Sequence, residues 1–260
     1  MLNIKGLVKW QITFDYITNH EKKLSTSYHT SRKRRKKIQR LIEEMPTIEQ
    51  KKKSAFDLYK DWKCPRCNKK KETFNHLWQC RNHRKTMKNI IKRTIDLLIV
   101  KLILMDTKLK TPDLKDIFKN KSYFNIEINQ DHLSFIDMIK GIFPRDLYDI
   151  IHKISGKQEK SEELGIELLD FIYDQTTSLI WKERNERSQL KKKRLGITKD
   201  DEKIRSYDKS ITHSRPTIQK DEFKNCMGIN ENIYFGINML DFMVQVYRSN
   251  CFCSLINSSF

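Results

Sequence analysis

Cys64-Pro65-Arg66-Cys67, followed by Glu72-Thr73, His76 and Cys80, is the stretch from which the rest of the chain is read. Two cysteines bracket two residues, eight residues intervene, and a histidine and a cysteine then bracket three. A tetrahedral metal ion takes four soft or borderline ligands, usually as two short-range pairs. A Cys-x-x-Cys turn supplies two thiolates from one tight loop, and His-x-x-x-Cys supplies two ligands one helical turn apart. Thr73 is a suitable N-cap, which places His76 in a first turn with Cys80 above it. A thioredoxin-like redox pair belongs beside a βαβ pattern, which is missing here. His83 makes Cys64, Cys67, Cys80 and His83 a second set, but the i, i+4 spacing favours His76. Four protein ligands leave no open position, so the expected cofactor is a structural Zn2+.

The 260-residue chain is 38% apolar and 33% charged, with 13 Phe, 9 Tyr and 4 Trp available for a core. Only 7 Gly and 5 Pro argue against a strand-and-turn fold. The expectation is therefore mainly α: a helical bundle carrying a small CCHC module. Met1–Trp10 carries lysines in a helix-like pattern and does not read as a signal peptide. Leu97–Met105, the most apolar run, contains Lys101 and falls short of the about 20 residues that span a bilayer. No membrane partner is expected, and an intracellular, reducing compartment is the default in which Cys/His clusters read as metal sites.

Charge divides unevenly. Residues 1–110 hold 29 Lys and Arg against 10 Asp and Glu, whereas residues 111–260 hold 23 of each. The formal charge of +19 thus resides in the part with the Cys/His motif. Such a field favours polyanions, nucleic acid foremost, with a merely solvated lysine-rich surface as the plainer alternative. The candidate contacts are Arg32, Lys33, Arg34, Arg35, Lys36 and Lys37 in one run, and Arg66, Lys69, Lys70, Lys71, Arg81 and Arg84 around the ligands. The run opens a helix, where like charges oppose the macrodipole and a polyanion would relieve them. The same run also fits a nuclear localisation signal or a solvated face. Trp62, Phe74 and Trp78 are either stacking groups or a mini-core over the metal, and for Trp78 the mini-core is preferred.

Five segments result: a basic helical region (1–46), the CCHC module (47–88), a helical bundle (89–196), a linker or disordered stretch (197–230), and an apolar helix and tail (231–260). Leu7, Trp10, Phe14 and Ile17 predict one helix over 3–20. Residues 21–30 read as a loop, and Ile38, Leu41, Ile42 and Met45 predict a helix stopped by Pro46. Thr47 with Gln50 starts a helix through Leu58, and residues 86–105 form a long one. Thr111-Pro112-Asp113 starts another, followed by helices at 131–143 and 145–155, the second ended by Gly156. The longest helix runs from Ser161 to about Leu195, becomes wholly polar after Trp181, and stops at Gly196. Its polar end is expected to project into solvent. Residues 231–250 suggest a final helix, and Cys251 and Cys253 have no histidine pair nearby.

Cys-Pro-x-Cys, Glu72-Thr73, His76-Leu77 and Cys80 resemble the zinc-binding segment found C-terminal to reverse transcriptases of non-LTR retrotransposons. Ile180-Trp181-Lys182-Glu183-Arg184-Asn185 is similar to the Ile-Trp-x-x-Arg-Asn helix that follows in such tails. The likeness covers about residues 50–195. It implies zinc on Cys64, Cys67, His76 and Cys80 and a nucleic-acid-binding role, with RNA and DNA both open. The chain lacks a Tyr-x-Asp-Asp motif and the paired aspartates of a two-metal polymerase, so it resembles a detached tail or element remnant, and no enzyme activity is expected. Some relatives carry an endonuclease built on Pro-Asp and a distal acid with lysine. Pro112-Asp113 and Glu127 approach that pattern, but Ile128-Asn129 follows Glu127 and the lysine is missing. A zinc-stapled protein-interaction module is the other alternative. Oligomeric state is not legible.

Overall fold

Every regular element among the described residues is helical, apart from one isolated antiparallel bridge between Val8 and Pro144. The computed structural model describes residues 4–18, 28–127, 132–198 and 200–202. All fall within the first of two units, Met1–Arg205 and Ser206–Phe260. The helices are α1 (Ile4–Leu7), α2 (Trp10–Thr18), α3 (Tyr28–Leu41), α4 (Ile48–Lys52), α5 (Phe56–Tyr59) and α6 (Phe74–Gln79). They continue with α7 (Arg84–Met105), α8 (Thr111–Lys119), α9 (Phe135–Lys140), α10 (Arg145–Ser155), α11 (Gln158–Thr176) and α12 (Lys182–Arg194). A π turn, Thr177–Trp181, joins the last two.

Helix α11 is the axis of the bundle, with α7, α10, α2 and α9 packed around it. Its Leu164, Leu168, Leu169 and Ile172 are buried, each such side chain contributing about 1.5–3 kcal/mol of transfer free energy. Gly165 lets α2 approach: a Cβ there would stand 2.8 Å from Ile12 Cδ1 and 3.3 Å from Phe143 Cζ. Gly141 ends α9 at φ 93, and Gly156 ends α10 at φ 62, as the left-handed position after a helix requires.

Several expected boundaries move, each for a tertiary reason. The helix expected over 3–20 breaks at Val8 and Lys9, because the Lys9 N–H donates to Phe143 O at 2.9 Å and Val8 pairs with Pro144. Helix α3 begins at Tyr28, inside the expected loop, and ends at Leu41, before a left-handed Glu43 at φ 59. Thr47 does cap its helix, accepting from Gln50 N at 3.3 Å, but that helix closes at Lys52 and α5 is separate. The helix expected at 131–143 is shortened to α9, which a Ser134–Asp137 capping box opens. Of the expected linker, only residues 197, 198 and 200–202 are described, and of these Ile197 and Glu202 pack back on the molecule. The rest of it, the expected final helix, Cys251 and Cys253 lie outside the described residues.

The polar end of the long helix does not project into solvent. Positions 168, 172, 176, 180, 184, 188 and 192 are all buried: Leu168, Ile172, Thr176, Ile180, Arg184, Ser188 and Lys192. The buried stripe runs on through the π turn, but after Ile180 its members are polar, so hydrophobic periodicity loses it at Arg184.

Candidate metal centre

The module around the motif is built from local chemistry. Ile48, Ala55, Tyr59 and Trp62 form a small core, with Tyr59 and Trp62 edge to face at 5.1 Å. The Cys-x-x-Cys segment closes as a knuckle: Asn68 N–H donates to Cys64 O at 2.9 Å, and Cys64 N–H to Lys70 O at 2.9 Å. Asn68 holds the left-handed conformation, φ 53, that this turn needs and asparagine tolerates. Thr73 caps α6, its hydroxyl accepting from His76 N at 3.1 Å. Helix α6 runs to Gln79 with Cys80 as its C-cap: its φ of −57 is still helical, so Cys80 follows His76 by one turn, and its ψ of 128 turns the chain away only after it.

Cys64, Cys67, His76 and Cys80 come together, with one ligand atom of each within 4.8 Å of all the others. Cys64 Sγ lies 3.9 Å from Cys80 Sγ, and Cys67 Sγ lies 3.5 Å from His76 Nε2. A tetrahedron with metal–sulfur bonds of about 2.3 Å has S···S edges of about 3.8 Å and S···N edges of about 3.6 Å. The side chains therefore fit a tetrahedral metal ion. Backbone N–H groups of Arg66 and Cys67 reach the Cys64 sulfur, those of Lys69 and Lys70 reach Cys67, and that of Asn82 reaches Cys80. Such bonds orient ligands and stabilise thiolate.

Without a cation the three thiols are ill at ease together. Burial pushes the Cys64 thiol up to about 12 and raises Cys80 as well. Burial also acts upward on Cys67, but the Lys70 and Lys69 N–H groups and His76 outweigh it and bring Cys67 down to about 6. One thiolate is ready and two await a positive charge. His83 is not part of the cluster: its Nε2 lies 3.0 Å from Trp78 O, and burial lowers its ring to about 4. The ambiguity between the two histidines resolves to His76.

The module is fastened to α12 by a buried ion pair. Glu72, fully buried, accepts Arg184 Nε at 3.0 Å on one oxygen and Arg184 Nη2 on the other. Glu72 also accepts Ile48 N–H at 2.9 Å, and Asn185 Oδ1 takes Arg184 Nη1 at 3.0 Å. The guanidinium lies 5.0 Å from the Trp181 ring centre. Arg66 adds a second tie to Glu183 at 2.5 Å. These pairings were missed in the sequence, where the one available signal was a charged residue continuing the four-residue buried spacing of α11.

The candidate basic residues separate into two groups. Arg32, Arg35, Lys36, Lys69, Lys70, Lys71, Arg81 and Arg84 are exposed, and none forms an ion pair among the described residues. The others are engaged. Lys37, with 1% of its side chain exposed, pairs with Asp170 at 3.0 Å and donates to Tyr16 O at 2.7 Å. Burial pulls its ammonium down to about 8. Lys33 also reaches Asp170, at 3.7 Å, Arg34 reaches Thr18 O, and Arg66 holds Glu183. Lys37 and Arg66 are corrected from surface contacts to internal ties. Trp62, Phe74 and Trp78 are buried and form the mini-core, not a stacking surface.

Asp113 sits in the first turn of α8 after Pro112, but the N-cap is Lys110, without a side-chain cap bond, and not the expected Thr111, which is already helical. The Cys/His set is the one cluster of metal-ligating groups among the described residues. No helix among them is long and apolar enough to cross a membrane. Comparison with family models, curated proteins and solved structures returns no match to this chain.

Proposed function

We propose that this chain is a nucleic-acid-binding protein in which Cys64, Cys67, His76 and Cys80 hold one structural Zn2+. A closed set of three sulfurs and one imidazole suits zinc and leaves no position for a reacting water. The observation that carries nucleic-acid binding is the set of eight exposed cations that form no ion pair among the described residues. Lys69, Lys70, Lys71, Arg81 and Arg84 lie on or beside the metal module, and Arg32, Arg35 and Lys36 lie on α3. Phosphate contact is what such a surface offers, to RNA and DNA alike, and action in the nucleus belongs to the same reading. Origin as a detached retrotransposon reverse-transcriptase tail is also proposed. It is supported by Glu72 and Arg184, the charged residues of the two resembling motifs, being bonded to one another. A protein-interaction role is the second reading, favoured by Val100 and Leu104, which stand 55% and 74% exposed at the end of α7.

The test is a salt titration of affinity for an oligonucleotide, beside metal analysis of the purified chain. Six phosphate contacts give a slope of log affinity against log salt of about −4 on single strands and about −5 on duplex DNA. Replacing Lys69, Lys70 and Lys71 by Gln should reduce that slope by about 2–3. Affinity that ignores salt, or no binding at all, refutes the nucleic-acid reading and leaves the protein-interaction one. One zinc per chain is expected, lost in Cys64→Ser with Cys67→Ser.

A further inference from the structure

After α12 the chain turns back. Gly196, at φ 65, donates to Lys193 O at 3.2 Å, and Ile197 N–H donates to Lys192 O at 3.1 Å. This αL stop sends Ile197 onto the Ile48, Ala55, Tyr59 and Trp62 core. Thr198 and Asp201 then close a small loop. The Asp201 carboxylate accepts Thr198 N–H and Oγ1, both at 2.7 Å, and Thr198 Oγ1 accepts Asp201 N–H at 3.2 Å.

The turn delivers the Glu202 carboxylate to a cradle of cationic and hydroxyl donors. One of its oxygens receives Lys192 Nζ at 2.5 Å, has Lys51 Nζ at 3.8 Å, and accepts the Tyr59 hydroxyl. These three donors come from α12, α4 and α5, so the cradle belongs to the folded module and not to the turn that fills it. Lys192 is built in: 7% of its side chain is exposed, against 31% for Glu202. Two ammonium groups share this space with one carboxylate. Burial, and after it the charge of Lys192, pulls Lys51 down to about 8, against the opposing charge of Glu202.

We propose that Lys51, Lys192 and Tyr59 form an oxyanion site for a phosphate group, which Glu202 occupies from within the chain. A phosphate has up to two negative charges and three acceptor oxygens, matching two ammoniums and a hydroxyl better than one carboxylate does. The Glu202 turn then competes with the incoming anion. This site is separate from the metal and from the eight exposed cations. It stands whether or not the chain binds nucleic acid.

Inorganic phosphate is the probe, titrated into the zinc-loaded full chain and followed by phosphorus NMR. Glu202→Gln is expected to bind phosphate about tenfold more tightly than the unmodified chain, the gain from freeing a site that the tethered carboxylate fills about nine-tenths of the time. Adding Lys192→Gln or Lys51→Gln to Glu202→Gln should remove that gain. Two single-residue routes to the same loss cover the case in which one variant does not fold. Glu186→Gln, which deletes a carboxylate elsewhere on α12, should leave affinity unchanged. An equal gain from Glu186→Gln, or none from Glu202→Gln, overturns the site. Oligonucleotides with and without a 5′-phosphate, titrated into Glu202→Gln, distinguish a terminal phosphate from the backbone as the natural source.

Discussion

Replacing Arg184 by Met tests whether the metal module is locked to α12 as the geometry implies. The substitution preserves length and apolar bulk but leaves the Glu72 carboxylate, fully buried, with Ile48 N–H as its remaining donor among those described. Two hydrogen bonds from Arg184 to Glu72 are lost at once, one on each carboxylate oxygen. Breaking a buried pair from one side costs about 3–5 kcal/mol, because an uncompensated charge stays in the interior. Removing both charges together, Glu72→Leu with Arg184→Met, should cost much less than the two single changes added, since neither stranded charge remains. The assay is urea unfolding of zinc-loaded protein followed by circular dichroism. With an m-value of about 2–3 kcal/mol/M, the midpoint should fall by about 1–2 M in Arg184→Met. A shift worth less than about 1 kcal/mol, or strict additivity in the double variant, would refute the lock.

Two further outcomes follow from the site and the core. In the metal-free protein the Cys64 thiol, at about 12, and the raised Cys80 thiol are protonated near neutrality, while Cys67, at about 6, is already thiolate. Zinc binding should therefore release about two protons at pH 7.5, and affinity should weaken about a hundredfold per unit of acidification. Calorimetry in buffers of different ionisation enthalpy reads that number directly, and a release near zero would contradict the protonated thiols. Gly165→Ala should destabilise by about 1–3 kcal/mol in thermal unfolding, against the gain of about 1 kcal/mol that helix propensity alone suggests. The reason is that the new Cβ meets Ile12 Cδ1 at 2.8 Å.

What could be read in advance was what neighbours in sequence decide. Thr47 and Thr73 cap their helices through hydroxyls three residues away, and Gly156 and Gly196 stop theirs with left-handed backbone. The ligand set was legible because Cys-x-x-Cys and His-x-x-x-Cys are local patterns, and Cys80 keeps its helical spacing from His76 as the last position of α6 before the chain turns away. The remainder depended on partners far away in the chain. Val8 breaks a good helical pattern to meet Pro144, and Lys37 leaves the basic surface for Asp170. Arg184 was hidden for a related reason: its burial follows from Glu72, 112 residues earlier, and no periodicity of apolar side chains marks it.

That long-range bond has a consequence for synthesis. A chain made from its N-terminus can form the knuckle as soon as Cys80 has emerged, since all four ligands lie within one short segment. The acid at position 72 must then wait for more than a hundred further residues before its guanidinium arrives. In chains that end ahead of α12, Glu72 would lack the guanidinium that meets it in the folded protein, with Ile48 N–H left as its donor among the described residues.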